Sequence, residues 1–125
     1  MKILVLDDHK EFREQVVEIL VRHGHEALGV EKAVDAIPLA ESGEYDFILV
    51  DFNMPEHDGV WFMKNVKRPM RTKAILVTAY VNRQVIDMMF KFGVRGYLIK
   101  PFTEADLIRH IEFHSGSPGQ PPVNK

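Results

Sequence analysis

The sequence predicts an α/β domain in which five parallel strands are each followed by a helix. Three observations carry that prediction. Ile3 to Leu6, Phe47 to Val50, Ala74 to Val77 and Gly96 to Ile99 are short runs without apolar–polar alternation, which is how parallel strands covered on both faces read. The segments between them repeat apolar residues at helix spacing. Strand and helix patterns then alternate with no internal repeat, which argues for a parallel sheet with helices on both faces and right-handed crossovers.

The elements follow in order. The strand Ile3–Leu6 leads to a helix over Glu11–Arg22, where Phe12, Val16, Ile19 and Leu20 form a stripe and Gly24 is the expected C-terminal cap. Glu26 to Val30 is a weaker strand; Ala27 and Gly29 place it at or near an edge. A second helix is expected over Lys32–Ser42, with Pro38 kinking it or confining it to a short start. After Phe47–Val50 comes a helix over Asp58–Lys67, then the strand Ala74–Val77 and a helix over Asn82–Phe92 ending at Gly93. After the strand Gly96–Ile99, Thr103 to Phe113 is the last helix, and Thr103-Glu104-Ala105-Asp106 reads as a capping box with Asp in the Glu/Gln place. Residues 1–114 form one domain. Ser115 to Lys125, with Gly116, Pro118, Gly119, Pro121 and Pro122, reads as a flexible tail or linker stub.

Composition narrows the function. There is no cysteine, which excludes disulfides and thiolate metal sites. A net charge of −2 gives no global argument for nucleic acid or an anionic membrane. The opening apolar run is stopped by Asp7 and Asp8, too early for a signal peptide, and no segment approaches bilayer-spanning length. A soluble, cytoplasmic protein is expected.

The chemistry lies at the strand ends. The first strand runs into Asp7 and Asp8, the third into Asp51, the fourth into Thr78 and the fifth into Lys100. In a parallel sheet these carboxyl ends share one rim, where ligands bind. Three carboxylates held together repel unless something positive compensates. Lys100 supplies one charge; a hard divalent cation with oxygen ligands, Mg²⁺ or Mn²⁺, would supply the rest. Such a site suits phosphoryl transfer, with one carboxylate as nucleophile.

Asp7-Asp8, Asp51-Phe52-Asn53-Met54-Pro55 with Gly59, Val77-Thr78-Ala79 and Gly96-Tyr97-Leu98-Ile99-Lys100-Pro101-Phe102 together resemble the response-regulator receiver pattern of two-component signalling. The resemblance runs from about Lys2 to Phe113 and implies a flavodoxin-like fold with strand order 2-1-3-4-5. It implies that Asp51 accepts a phosphoryl group from a histidine kinase or a histidine phosphotransfer protein. It further implies that Asp7, Asp8, Asp51 and the backbone carbonyl of Asn53 hold the metal, and that Lys100, before a cis bond to Pro101, pairs with the phosphoryl group. Thr78 and Tyr97 would be the switch pair, and Asn53 and Tyr80 would tune dephosphorylation. The protein would assist its own phosphorylation and dephosphorylation without turning over an external substrate.

The output side is less specified. Val81, Val85, Met88, Met89 and Phe92 form one stripe of the fourth helix, while Ile86 and Phe90 fall outside it. With Tyr97 and Ile99 these two are candidates for a partner surface serving an unknown downstream protein or a second copy on phosphorylation; scattered exposed apolars are the plain alternative. Lys67, Arg68, Arg71 and Lys73 read as a solvated helix end and loop, with no direct nucleic-acid reader. His110 and His114 are expected at the surface, His9 at the border of the crevice, and Trp61 and Phe62 in helix packing. The expected arrangement is a single-domain regulator, against the receiver piece of a longer protein. Two rival functions remain. An aspartyl-phosphate hydrolase would want a second aspartate where His9 stands, and a non-cycling binding module would have no use for a complete acceptor site. A flavodoxin-type flavin site is disfavoured by the acidic first loop.

Overall fold

Five strands, β1 (Lys2–Leu6), β2 (Glu26–Val30), β3 (Phe47–Val50), β4 (Lys73–Thr78) and β5 (Val94–Ile99), alternate with five helices. These are α1 (Lys10–Arg22), α2 (Ala33–Glu41), α3 (Gly59–Asn65), α4 (Arg83–Lys91) and α5 (Glu104–His114). The structure is a computed structural model and describes residues 1–115. The strands are all parallel, in the order β2-β1-β3-β4-β5, and the weak strand lies at the edge as expected. Residues 116–125 of the expected tail lie outside the described residues.

Side-chain alternation splits the core into two layers. Leu4, Leu6, Ile48, Val50, Ala74 and Leu76 face α2, α3 and α4, packing against Ala36, Phe62 and Met89. Ile3, Val5, Phe47, Leu49, Ile75, Val77 and Leu98 face α1 and α5, packing against Val16, Leu20, Leu107 and Ile111. Both faces being covered explains why the central strands carry no polar alternation. Leu6 stands opposite both Val30 and Val50, Val50 opposite Leu76, and Thr78 opposite Ile99. β1, β2 and β3 therefore end level, β4 and β5 run two residues further, and the residues that follow all five arrive at one rim. Between β4 and β5 the register shifts, Ala74 facing Val94 but Ile75 facing Gly96. Arg95 is the extra residue of this bulge.

Helix ends follow local chemistry. Gly24, at φ +87°, takes the left-handed conformation that closes α1. Asp58 caps α3 by accepting from the Trp61 N–H at 2.9 Å, and Asn82 caps α4 through the Val85 N–H at 3.1 Å. The capping box of α5 is complete, Thr103 and Asp106 each accepting from the other's N–H.

Some expectations are corrected. Pro38 sits inside α2 and does not end it; its missing N–H spares only the Val34 carbonyl, on an exposed residue. Helix α3 stops at Asn65 rather than Lys67, because Val66 turns extended (ψ 134°) and the Lys67 N–H donates to Glu41 instead. In the fourth helix Val81 and Met88 are exposed, not part of a buried stripe; Val81 precedes the Asn82 cap and is outside the helix. Met89 is buried, and Val85, Phe92 and also Ile86 pack against the core. His110 is buried, not at the surface; its Nδ1 lies 3.0 Å from the Asp106 carbonyl. Arg68 is half-buried and donates to the carbonyls of Thr72 and Gly93. Phe62 is buried and Trp61 half-buried, stacked on His57 at 3.8 Å.

Candidate functional site

The alternation that builds the core also aims the site. Asp7 continues the Ile3–Val5 side of β1, Asp51 the Phe47–Leu49 side of β3, and Lys100 the Leu98 side of β5. All three fall on the face covered by α1 and α5, whereas Thr78 continues the opposite parity. This is why Asp7 is buried and Asp8, one residue on, only half-buried.

Lys100 closes the crevice. Its Nζ lies 2.7 Å from Asp7 Oδ2 and 3.4 Å from Asp51 Oδ2, with the lysine side chain only 14% exposed. The Lys100–Pro101 bond is cis, as the resemblance implied. Asp7 Oδ1 accepts from the His9 N–H at 2.9 Å, and the Asp7 carbonyl accepts from Arg13 Nη1 at 2.8 Å. His9 borders the crevice, with Nδ1 3.4 Å from carboxylate oxygens of both Asp7 and Asp8.

The setting of Asp51 works against its ionisation. Burial pushes its carboxyl above the usual range, outweighing the Lys100 ammonium and the Thr78 hydroxyl, which favour the charged form; Asp7 adds like-charge repulsion. The buried Thr78 hydroxyl accepts from the Tyr80 N–H at 3.1 Å, leaving its own hydrogen to donate. Gly59 is required here by close approach: a Cβ would stand 2.5 Å from the Asp51 carbonyl oxygen, and its N–H donates to the Phe52 carbonyl at 2.8 Å.

The donor set fits a hard cation. Asp8 Oδ1 and Asp51 Oδ1 are buried with no hydrogen-bond partner. One ligand atom each from Asp7, Asp8, His9 and Asp51 lies within 4.8 Å of the others. Buried carboxylate oxygens without donors are costly, and an oxygen-preferring divalent ion would satisfy both.

Other expected residues lie around this centre. Asn53 is exposed in the loop after β3. Tyr80, 44% exposed, stacks on Phe52 with ring centroids 5.0 Å apart. Tyr97 and Ile99 are half-buried, and the Tyr97 ring meets Phe90 edge-on at 6.1 Å. Ile86 is half-buried and Phe90 exposed. Sequence reasoning missed Arg13, which ties α1 to the acidic loop, and gave Phe12 only to the core stripe. Their spacing along the first helix turn was the available signal.

Comparison with known proteins agrees with this geometry. The model of the response regulator receiver domain family matches residues 3–112. The chemotaxis protein CheY-3 of Vibrio cholerae is 33% identical over 90% of this chain and 89% of its own length. The chemotaxis protein CheY of Pseudomonas aeruginosa is 34% identical over 90% of this chain and 94% of its own. Among solved structures, a CheY-like receiver domain protein from Methanospirillum hungatei superposes with TM-score 0.86 at 22% identity, covering 92% of this chain and 93% of that one, a likeness of fold. The receiver domain of a sensor histidine kinase from Pseudomonas aeruginosa, with a magnesium ion coordinated in its active-site cleft, matches with TM-score 0.81 at 27% identity, covering 93% and 98%. The chain belongs to the response regulator receiver domain family, whose members are signalling phosphoacceptors.

Proposed function

We propose that Asp51 is the phosphoacceptor, and that its phosphorylation switches a protein-interaction face. The observation that carries the reading is the convergence on Asp51 of a largely enclosed ammonium, a buried hydroxyl and carboxylate oxygens lacking donors. One Asp51 carboxylate oxygen forms the bond to phosphorus as the bond from phosphorus to a histidine nitrogen of the donor protein breaks. The departing electron pair stays on the imidazole. Asp7, Asp8, Asp51 and the Asn53 carbonyl would hold Mg²⁺ or Mn²⁺, which when bound offsets negative charge on the phosphoryl oxygens.

Lys100, already between Asp7 and Asp51, neutralises the phosphoryl group once it is on Asp51. Thr78 donates its hydroxyl hydrogen to a phosphoryl oxygen, and its displacement changes the packing of Tyr97 and the exposed ring of Phe90. The partner face then comprises the exposed Phe90 and the half-buried Ile86, Tyr97 and Ile99. Its occupant is a downstream protein or a second copy of the chain. Asn53 and Tyr80 flank the opening and set how readily water removes the phosphoryl group. The kinase or phosphotransfer partner, and action in the cytoplasm, belong to the same reading.

Incubation with a small phosphodonor and Mg²⁺, read by intact mass, tests it. A single phosphoryl adduct is expected on the wild type and is lost with chelator or in Asp51→Asn. An equal adduct on Asp51→Asn rejects Asp51 as acceptor.

A further inference from the structure

The Lys100 ammonium carries three N–H groups, and three partners surround it. Two are the carboxylates of Asp7 and Asp51, at 2.7 and 3.4 Å. The third is the ring of Phe12, whose centroid lies 3.9 Å from Nζ, well inside the range of cation–π attraction. Phe12 reaches this place because it sits in the first turn of α1, on the face shared by Asp7, Asp51 and Lys100. Its ring is braced in turn by Phe102, edge-on at 5.8 Å and 88°, two residues beyond Lys100 itself.

We infer that Phe12 is a positioning residue for phosphoryl transfer, its π face holding the Lys100 ammonium over Asp51. The inference rests on the reading of Asp51 as acceptor. The two carboxylates are variable partners for Lys100, since one of them becomes an acyl phosphate and the group it carries draws the ammonium toward new oxygens. The ring is unchanged by the reaction and keeps a fixed contact throughout. It also denies that side of the ammonium to water, which would otherwise compete with the phosphoryl oxygens for its hydrogens. A plain packing role would need only volume at position 12; the stacking of the ammonium over the ring face would then be incidental.

Stepwise fluorination of the ring distinguishes the two, because it withdraws π charge with little change of shape. Phe12 is replaced by 4-fluoro-, 3,5-difluoro- and 3,4,5-trifluorophenylalanine, and the same series is made at Phe102. Phosphorylation rates are measured with a small phosphodonor at saturating Mg²⁺. At position 12 the logarithm of the rate should fall with each fluorine, reaching about a tenfold loss, and Phe12→Leu should resemble the trifluoro variant. At position 102 the series should be flat. A flat series at position 12, or an equal decline at both positions, overturns the inference while leaving the wild-type adduct, and so the acceptor reading, intact. Absence of any wild-type adduct overturns both.

Discussion

At the scale of single residues, the site is a balance of charges that the fold holds against their preference. Asp51 is buried with its carboxyl pushed up, so the native state holds its proton more tightly than the unfolded chain. That proton is retained below the folded pKa, and the cost of ionising Asp51 is present above it. In metal-free protein Asp51→Asn should therefore be more stable at pH 7, by on the order of 1 kcal/mol, with the gain shrinking at acid pH as the wild-type carboxyl takes up its proton. Urea unfolding in chelator at pH 7 and at acid pH measures this; a variant less stable at pH 7 would contradict it. Tyr80 is stacked on Phe52, and the proposed function gives its ring the role of screening the acceptor from water. Tyr80→Ala should lose phosphate faster than wild type by several-fold, and an unchanged lifetime rejects the screening role.

At the scale of elements, α3, α4 and α5 each start at a side-chain cap, and the loops between elements set what reaches the rim. The loop from β3 to α3 turns back so tightly that position 59 touches the Asp51 backbone. Gly59→Ala should cost about 1–3 kcal/mol and also weaken Mg²⁺ binding, because the loop carrying Asp51 and Asn53 must shift. Titration calorimetry and urea unfolding read the two effects, and full stability with normal binding would refute the close approach. The capping box of α5 supports the helix that follows the Lys100 segment. Thr103→Ala should cost about 1 kcal/mol, with no change in phosphorylation rate beyond about twofold. Helix α4 has a single fully buried side chain, Met89, and so little holding it in one position. Phosphorylation should change hydrogen-exchange protection across Arg83–Lys91 while leaving Phe47–Val50 unchanged; uniform protection in both would contradict a switch located there.

At the scale of the whole molecule, the strands and the gathering of Asp7, Asp8, Asp51 and Lys100 at one rim were legible in the sequence because they depend on the same interruption. Each apolar run stops at a charged or hydroxylated residue, and parallel packing brings those stops to one rim. Less was legible where several apolar residues compete for one helix face. In α4 the Asn82 cap sets where the helix begins, leaving Val81 outside it, and Ile86 turns inward where a single stripe had left it out. His110 was taken as a surface residue although it lies on the stripe of Leu107 and Ile111, since a polar side chain masks that spacing. The Phe12–Lys100 contact joins residues 12 and 100 across the fold and is set by parity and the closing of α1 over the sheet, which no local pattern announces. The central point is which carboxylate carries the phosphoryl group. Reduction of the phosphorylated protein with borohydride converts an aspartyl phosphate to homoserine, and peptide mass mapping then locates it. Homoserine at position 51 alone is predicted; homoserine at position 7 or 8, or none anywhere on phosphorylated protein, would contradict it.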